Sequence, residues 1–153
     1  IGQEIEYVRS YLTIQKMRYK DKLEFEINVD PRITHAQIIR LVLQPIVENA
    51  IYHGLKYKES KGMLKVHGYE LGERIIIDIT DDGVGMDEET LKHIYDKHKV
   101  NYHSNGVGVY NVQQRLVLYY GKEYGIIYHS EKGKGTTATV VIPKRQEDVH
   151  EKI

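Results

Sequence analysis

The stretch Leu43-Gln44-Pro45-Ile46-Val47-Glu48-Asn49-Ala50-Ile51-Tyr52-His53-Gly54 decides how the rest of the chain is read. It continues an apolar run through Ile38, Ile39, Leu41 and Val42, so it begins as a helix with a buried face. Glu48, Asn49 and His53 then stand where further core residues would be expected. Asn49 and His53 are one helical turn apart and project from the same face. An amide set in an apolar helix costs stability unless something binds it. The pattern predicts a helix from about His35 to Leu55, with Thr34 as its N-cap and Gly54 near its end. Pro45 inside that helix removes a hydrogen bond and is expected to kink it.

Before it, Leu23, Phe25, Ile27 and Val29 alternate with Lys22, Glu24, Glu26 and Asn28, which predicts a strand with one buried face, ended by Asp30-Pro31. Earlier still, Ile1 to about Lys20 is helical in pattern. Ile1, Ile5, Val8 and Leu12 form one stripe, and Tyr7, Tyr11 and Ile14 form a second beside it. Two stripes on one short helix point to a helical bundle, within or between chains, more than to a helix folded back on its own domain.

After it, Lys56 to Gly62 is a polar loop. Strands are expected over Met63 to Leu71 and Arg74 to Thr80, with a tight turn at Gly72-Glu73 between them. Ile75-Ile76-Ile77-Asp78-Ile79 is almost continuously apolar and reads as a central strand. Asp87 caps a short helix from Glu88 to about Lys97, and a polar stretch, His98 to Asn105, follows as a mobile loop. Gly106-Val107-Gly108 opens an amphipathic helix that Gly121 stops. Gly125 to Ser130 and Thr136 to Ile142 read as a closing hairpin. The expected fold class is α+β: a two-layer sandwich of a mixed sheet with helices on one face, preceded by an N-terminal helix. Residues 1–21 are assigned to the leading helix, 22–143 to the domain and 144–153 to a charged tail.

The chain has 153 residues, enough for one domain with a real core. Its 22 basic and 22 acidic residues balance, so nothing in its charge points to nucleic acid or a membrane surface. Cysteine is absent, which excludes disulfides and thiolate metal sites. No apolar run approaches the roughly 20 residues of a membrane span. The chain opens within a helical pattern and without an initiating Met, so it reads as a piece of something longer.

Three glycine clusters could carry chemistry. Asp81-Asp82-Gly83-Val84-Gly85 ends the central strand. By itself it is a common turn signal, yet a carboxylate there can accept from an exocyclic amine, and glycines let a flat ring approach the backbone. Asn105-Gly106-Val107-Gly108 at a helix start suits either an ordinary helix entry or a phosphate. Gly133-Lys134-Gly135-Thr136 alone is a hairpin turn and lacks Walker spacing, which excludes a P-loop NTPase. A dinucleotide fingerprint fails because Asn111 stands where a third glycine is needed. The eight histidines show no metal-ligand spacing, and no nucleophile elbow is present.

Taken in order, Glu48-Asn49, Asp81-x-Gly83-x-Gly85, Gly106-x-Gly108 and Gly133-x-Gly135-Thr136 resemble the N, G1, G2 and G3 boxes of the GHKL (Bergerat-fold) ATP-binding superfamily. Within it, Leu43 to Gly54, Gly106 to Leu116 and Tyr11 to Tyr19 resemble the signatures of LytS/YesM-type bacterial sensor histidine kinases. The resemblance implies ATP and Mg²⁺ as cofactors, with Asn49 the Mg²⁺ ligand and Asp81 the acceptor of the adenine amine. It places Gly83 and Gly85 on the floor of the adenine pocket and Thr136 near its adenine side. Gly106 and Gly108 hinge a lid spanning about Met86 to Asn105. Glu48 and His53 are the catalytic candidates beside the phosphates.

Three positions depart from the family pattern. The hydrolytic branches carry a base four residues before the Asn, where this chain has Pro45. Tyr52 stands where many relatives have a phosphate-facing Lys, and Val109 replaces a usual Leu. The phosphoacceptor context His-Phe-x-Phe-Asn is absent.

The resemblance therefore implies a two-component kinase domain that donates the γ-phosphate to a histidine on an upstream helix outside this chain. Its implied partners are that helix, a response regulator and a second copy of the full-length kinase, with no nucleic acid. Its implied location is the cytoplasmic part of a membrane-anchored sensor. Two alternatives share the fold: a serine-directed kinase of the anti-sigma-factor type, and a docking module that binds no nucleotide.

Overall fold

The computed structural model describes residues 1–94 and 106–144. The mobile loop expected over His98 to Asn105, the second half of the expected lid and the tail beyond Lys144 lie outside the described residues. In chain order the elements are α1 (Gly2–Tyr19), a 3₁₀ turn (Lys20–Lys22), β1 (Leu23–Val29), a second 3₁₀ turn (Pro31–Ile33) and α2 (Leu43–Asn49). A π-helical turn (Ala50–Leu55) continues α2, followed by β2 (Gly62–Leu71), β3 (Arg74–Asp81), α3 (Glu88–Lys92), α4 (Gly106–Tyr120), β4 (Gly125–Glu131) and β5 (Gly135–Pro143).

The five strands form one mixed sheet in the order β1-β2-β3-β5-β4, parallel between β1 and β2 and antiparallel elsewhere. β3 is central, as its apolar run requires. The register gives the sheet two unlike faces. Leu64, Val66, Ile75, Ile77, Ile79, Ile126, Tyr128, Ala138, Val140 and Ile142 share one core with side chains from α1, α2 and α4. The opposite face carries a polar ladder: Asp78 accepts from Thr139 at 2.6 Å and from Tyr69 at 3.2 Å, and Thr80 pairs with Thr137. A sheet with one apolar face needs only one layer of helices. That is the two-layer fold expected.

Three local expectations are corrected. The helix does not start at His35; it starts at Leu43, and Thr34 donates its hydroxyl to Pro31 O instead of capping. Between Ala36 and Val42 the backbone is irregular because side chains from other elements take its hydrogen-bonding groups. Ile39 N–H donates to the Tyr120 hydroxyl, and Leu41, Val42 and Leu43 N–H donate to the Glu4 carboxylate. Pro45 therefore falls in the first turn of α2, where a missing N–H costs nothing, and does not kink a longer helix. The helix expected over Glu88 to Lys97 ends at Lys92, with Asp87 capping it by accepting from Thr90 N–H at 2.7 Å.

A further correction concerns α1. Ile1, Ile5, Val8 and Leu12 are buried in this chain's own core, so the first stripe is used within the domain. The second stripe is left outward: Tyr7, Ile14 and also Met17 are exposed, and only Tyr11 is half-buried.

Candidate functional site

The site is built where β3 ends against the continuation of α2. A concavity is lined by Ile46, Asn49, Ala50, His53 and Gly54 on the helical side and by Ile79, Asp81, Gly85, Met86, Tyr128, Thr136 and Ala138 on the sheet side. The helical wall is the junction of α2 and the π turn, in which Lys56 N–H reaches back to Ile51 O. Wide turns of this kind recur at functional sites because they break the ordinary α-helical phase. Here the break lets Gly54 O accept from Val84 N–H at 3.2 Å and ties the helix end to the loop after β3.

Asp81, the last residue of β3, is only 3% exposed. Burial pushes its carboxyl up from 3.8 to about 6. The Gly83 N–H, 2.9 Å from Oδ1, pulls it back, the Asp82 charge adds to the rise, and the Thr136 N–H and Lys58 lower it. Lys58 makes its own ion pair with Asp82, at 2.9 Å. Asp81 is thus an acceptor-rich group in an apolar wall, suited to a ligand that brings N–H donors.

The glycines around it have different tasks. A Cβ on Gly54 would stand 2.6 Å from Asp81 Oδ1, and one on Gly83 would stand 2.4 Å from the Gly54 carbonyl group. Gly54 therefore keeps the space over the carboxylate, while Gly83 packs behind the wall and does not line the concavity. Gly85, at φ 67°, does line it. Of the two glycines expected to floor an adenine pocket, Gly85 lines this concavity and Gly83 does not.

Asn49 and His53 both face the concavity, as their spacing predicts. The Asn49 amide makes no hydrogen bond among the described residues. His53 is half-buried with its ring edge-on to Tyr52, and burial, then the Lys56 charge, lowers its pKa. Glu48 does not reach the concavity: it accepts from Gln44 at 3.0 Å and lies toward α1, where after burial itself its charge raises the Tyr11 hydroxyl. Gly108 packs beside Pro45, so the start of α4 stands against the start of α2, and Gly108 does not line the concavity. Thr136 lines the wall and shares a 2.7 Å hydrogen bond with Ser130.

Sequence reasoning passes over Gly54 and Ser130. Ser130 accepts from Met86 N–H at 2.8 Å and so anchors the start of the loop that follows the glycines. Its register opposite Thr136 was the available signal, legible once the hairpin is closed around Gly133. Lys56 was also missed. Its ammonium lies 4.4 Å from the centroid of the Tyr52 ring, so a cation returns beside the position where the family pattern has a lysine.

A mixed sheet backed by helices, with a buried carboxylate at the end of its central strand opposite a helical asparagine, defines an ATPase-type nucleotide-binding domain. The chain belongs to the histidine kinase-, DNA gyrase B-, and HSP90-like ATPase family, whose model matches residues 34–146. Its sequence is similar to the sensor histidine kinase YesM of Bacillus subtilis, 33% identical over 149 residues that cover 97% of this chain and 24% of that protein. It is similar also to the sensor protein LytS of Bacillus cereus, 30% identical over 145 residues that cover 95% of this chain and 25% of that protein. The chain thus spans about a quarter of the length of these relatives.

Among solved structures, the catalytic domain of the histidine kinase ThkA superposes with a TM-score of 0.68 at 14% identity, covering 93% of this chain and 94% of that one. The histidine kinase domain of the Erythrobacter litoralis EL346 blue-light activated histidine kinase superposes at 0.62 and 18% identity, covering 93% of this chain and 60% of that one. At these identities the likeness establishes the fold.

Proposed function

We propose that this domain binds Mg-ATP and donates the γ-phosphate to a histidine on a helix outside the chain, as the catalytic unit of a two-component sensor kinase. The observation that carries the reading is Asp81: a buried carboxylate, facing a concavity, with an elevated pKa and room kept over it by Gly54. The adenine amine would supply a further donor to this carboxylate beside the Gly83 N–H, and Gly85 and Thr136 would line the ring's surroundings.

The donor set fits a magnesium ion held chiefly by the nucleotide. No group of three acidic, histidine or cysteine side chains gathers among the described residues, so Asn49 would contribute one amide oxygen and phosphates and water the rest. When bound, the metal neutralises phosphate charge for in-line transfer. Gly106 and Gly108 begin α4, with Gly108 beside Pro45, and would hold the phosphate end under the lid. His53, on the wall, would contact phosphates. Glu48 would have to leave Gln44 to assist.

Pro45, four residues before Asn49, supports transfer over hydrolysis because it cannot activate water. In this reading residues 1–21 end a longer helix whose exposed Tyr7, Ile14 and Met17 face a neighbouring helix in a homodimeric kinase. A response regulator would take the phosphoryl group onward. No helix among the described residues is long and apolar enough to cross a membrane, and the reading places this domain on the cytoplasmic side of an anchored sensor.

The test is calorimetric titration with ATP and Mg²⁺, followed by labelled ATP with and without a separate phosphoacceptor helix. Tight ATP binding, lost in Asp81→Asn, with label on the added helix and none on this chain, is expected. Absence of ATP binding, or label on this chain alone, overturns the reading.

A further inference from the structure

We propose that Glu4 of α1 is a positioning residue for the nucleotide site: with Arg115 of α4 it fixes where α2 begins and therefore where Asn49 stands. This rests on the Mg-ATP reading above.

α2 begins without a cap of its own. Val42 precedes it and offers no side-chain acceptor, where Ser, Thr, Asp or Asn would be usual. The acceptor arrives from a different helix. Glu4, only 6% exposed, takes Leu41 N–H on Oε1 at 2.7 Å and Val42 and Leu43 N–H on Oε2 at 3.0 and 3.1 Å. A negative group at a helix N-terminus satisfies free N–H groups and complements the dipole.

The carbonyls of the same segment are held from the opposite element. The Arg115 guanidinium donates to Arg40 O and, at 3.4 Å, to Leu41 O. Leu41 sits between the two grips with φ at 58°, a conformation a leucine adopts only when its surroundings impose it. One helix thus holds the donors and another holds the acceptors of a single strained turn.

That turn is the root of the element that carries the site. Asn49 lies on α2 within two turns of Leu43, and α4 also begins against α2 at Pro45. A shift of α1 that draws Glu4 away would free the start of α2 and let Asn49 move, with no change at Asp81, which belongs to the sheet. The consequence is selective. Phosphate and metal binding should feel Glu4, and adenine binding should not. Coupling between sites is reciprocal, so a nucleotide bound through Asn49 must also steady the Glu4 contacts.

The experiment measures affinity for ATP with Mg²⁺ and for ATP with a chelator, in the parent and in Glu4→Gln and Glu4→Asp. Glu4→Gln is expected to weaken Mg-ATP binding about tenfold while metal-free ATP weakens far less, with Glu4→Asp recovering part of the loss. A lowered melting temperature with an unchanged ratio of the two affinities would show a purely structural contact and overturn the proposal. If the parent itself gains no affinity from Mg²⁺, the metal reading of Asn49 fails instead. Should the variants not fold, hydrogen exchange on the parent decides: Leu41, Val42 and Leu43 amides are expected to slow on adding Mg-ATP, and unchanged exchange sinks the idea.

Discussion

At the scale of single residues, Asp81 is a charge the ligand-free domain would be more stable without. Its pKa stands raised from 3.8 to about 6, so its stabilising contribution is fully present below pH 4 and is lost as pH rises through about 6. The difference corresponds to roughly 3 kcal/mol. Asp81→Asn is therefore expected to stabilise the ligand-free domain at pH 7.5, and the advantage should shrink toward pH 5; urea unfolding at both values measures it. If Asp81 accepts from the adenine amine as proposed, it must be ionised, so ATP affinity of the parent should fall between pH 7 and pH 5.5. Protonation of His53, whose pKa is lowered, would act in the opposite sense on the phosphates. The comparison with Asp81→Asn isolates the carboxylate, and a parent affinity that is flat over this range would remove Asp81 from the adenine site.

The two buried glycines separate stability from binding at the same scale. In Gly83→Ala the new methyl meets backbone, which cannot step aside, and a loss of about 1–3 kcal/mol is expected. In Gly54→Ala it meets the Asp81 carboxylate, which can turn away, so ATP binding should fail at a smaller cost in melting temperature. Equal losses in both variants would contradict this division. Asp81 and Asn49 were legible in the sequence because their types are out of place, a carboxylate ending an apolar strand and an amide in an apolar helix. Gly54 was not, since a glycine near a helix end has an ordinary explanation and only the fold reveals what approaches it.

At the scale of elements, the strands were legible almost to the residue because burial of one face imposes alternation that nothing else in the chain mimics. β1 spans the predicted residues, and the turn at Gly72 and the closing hairpin fall where expected. The start of α2 was not legible. Ile38 to Val42 has helical spacing, and what keeps it irregular is a carboxylate about 37 residues earlier in the chain and an arginine about 75 later. Local pattern cannot carry that information. Pro45 was misread for the same reason: its effect depends on where the helix begins. In the first turn its ring is tolerated, so Pro45→Ala should shift stability by less than about 1 kcal/mol, against the 3 kcal/mol or so of a proline in a helix interior. A chemical-denaturation midpoint gives the answer directly, and a gain near the larger figure would mean that the helix extends further upstream.

At the scale of the whole molecule, the open issue is whether α1 is a lever attached to a finished domain or part of the domain. The packing favours the second. Ile1, Ile5, Val8 and Leu12 all belong to the single core, and Glu4 supplies the cap of α2. Four buried aliphatic side chains contribute about 6–12 kcal/mol before the entropy of ordering the helix is subtracted. A domain of this kind holds only 5–15 kcal/mol in total, so the share is decisive. A chain beginning at Lys22 is thus expected to melt at least about 10 °C below the parent, with weakened near-ultraviolet dichroism, even though every residue lining the concavity is retained. A melting temperature within about 3 °C of the parent would make α1 a mere appendage. The helix would then use its buried face for the core and its exposed Tyr7, Ile14 and Met17 for whatever lies beside it, which is the arrangement a signal passing from outside the domain to Asn49 would need.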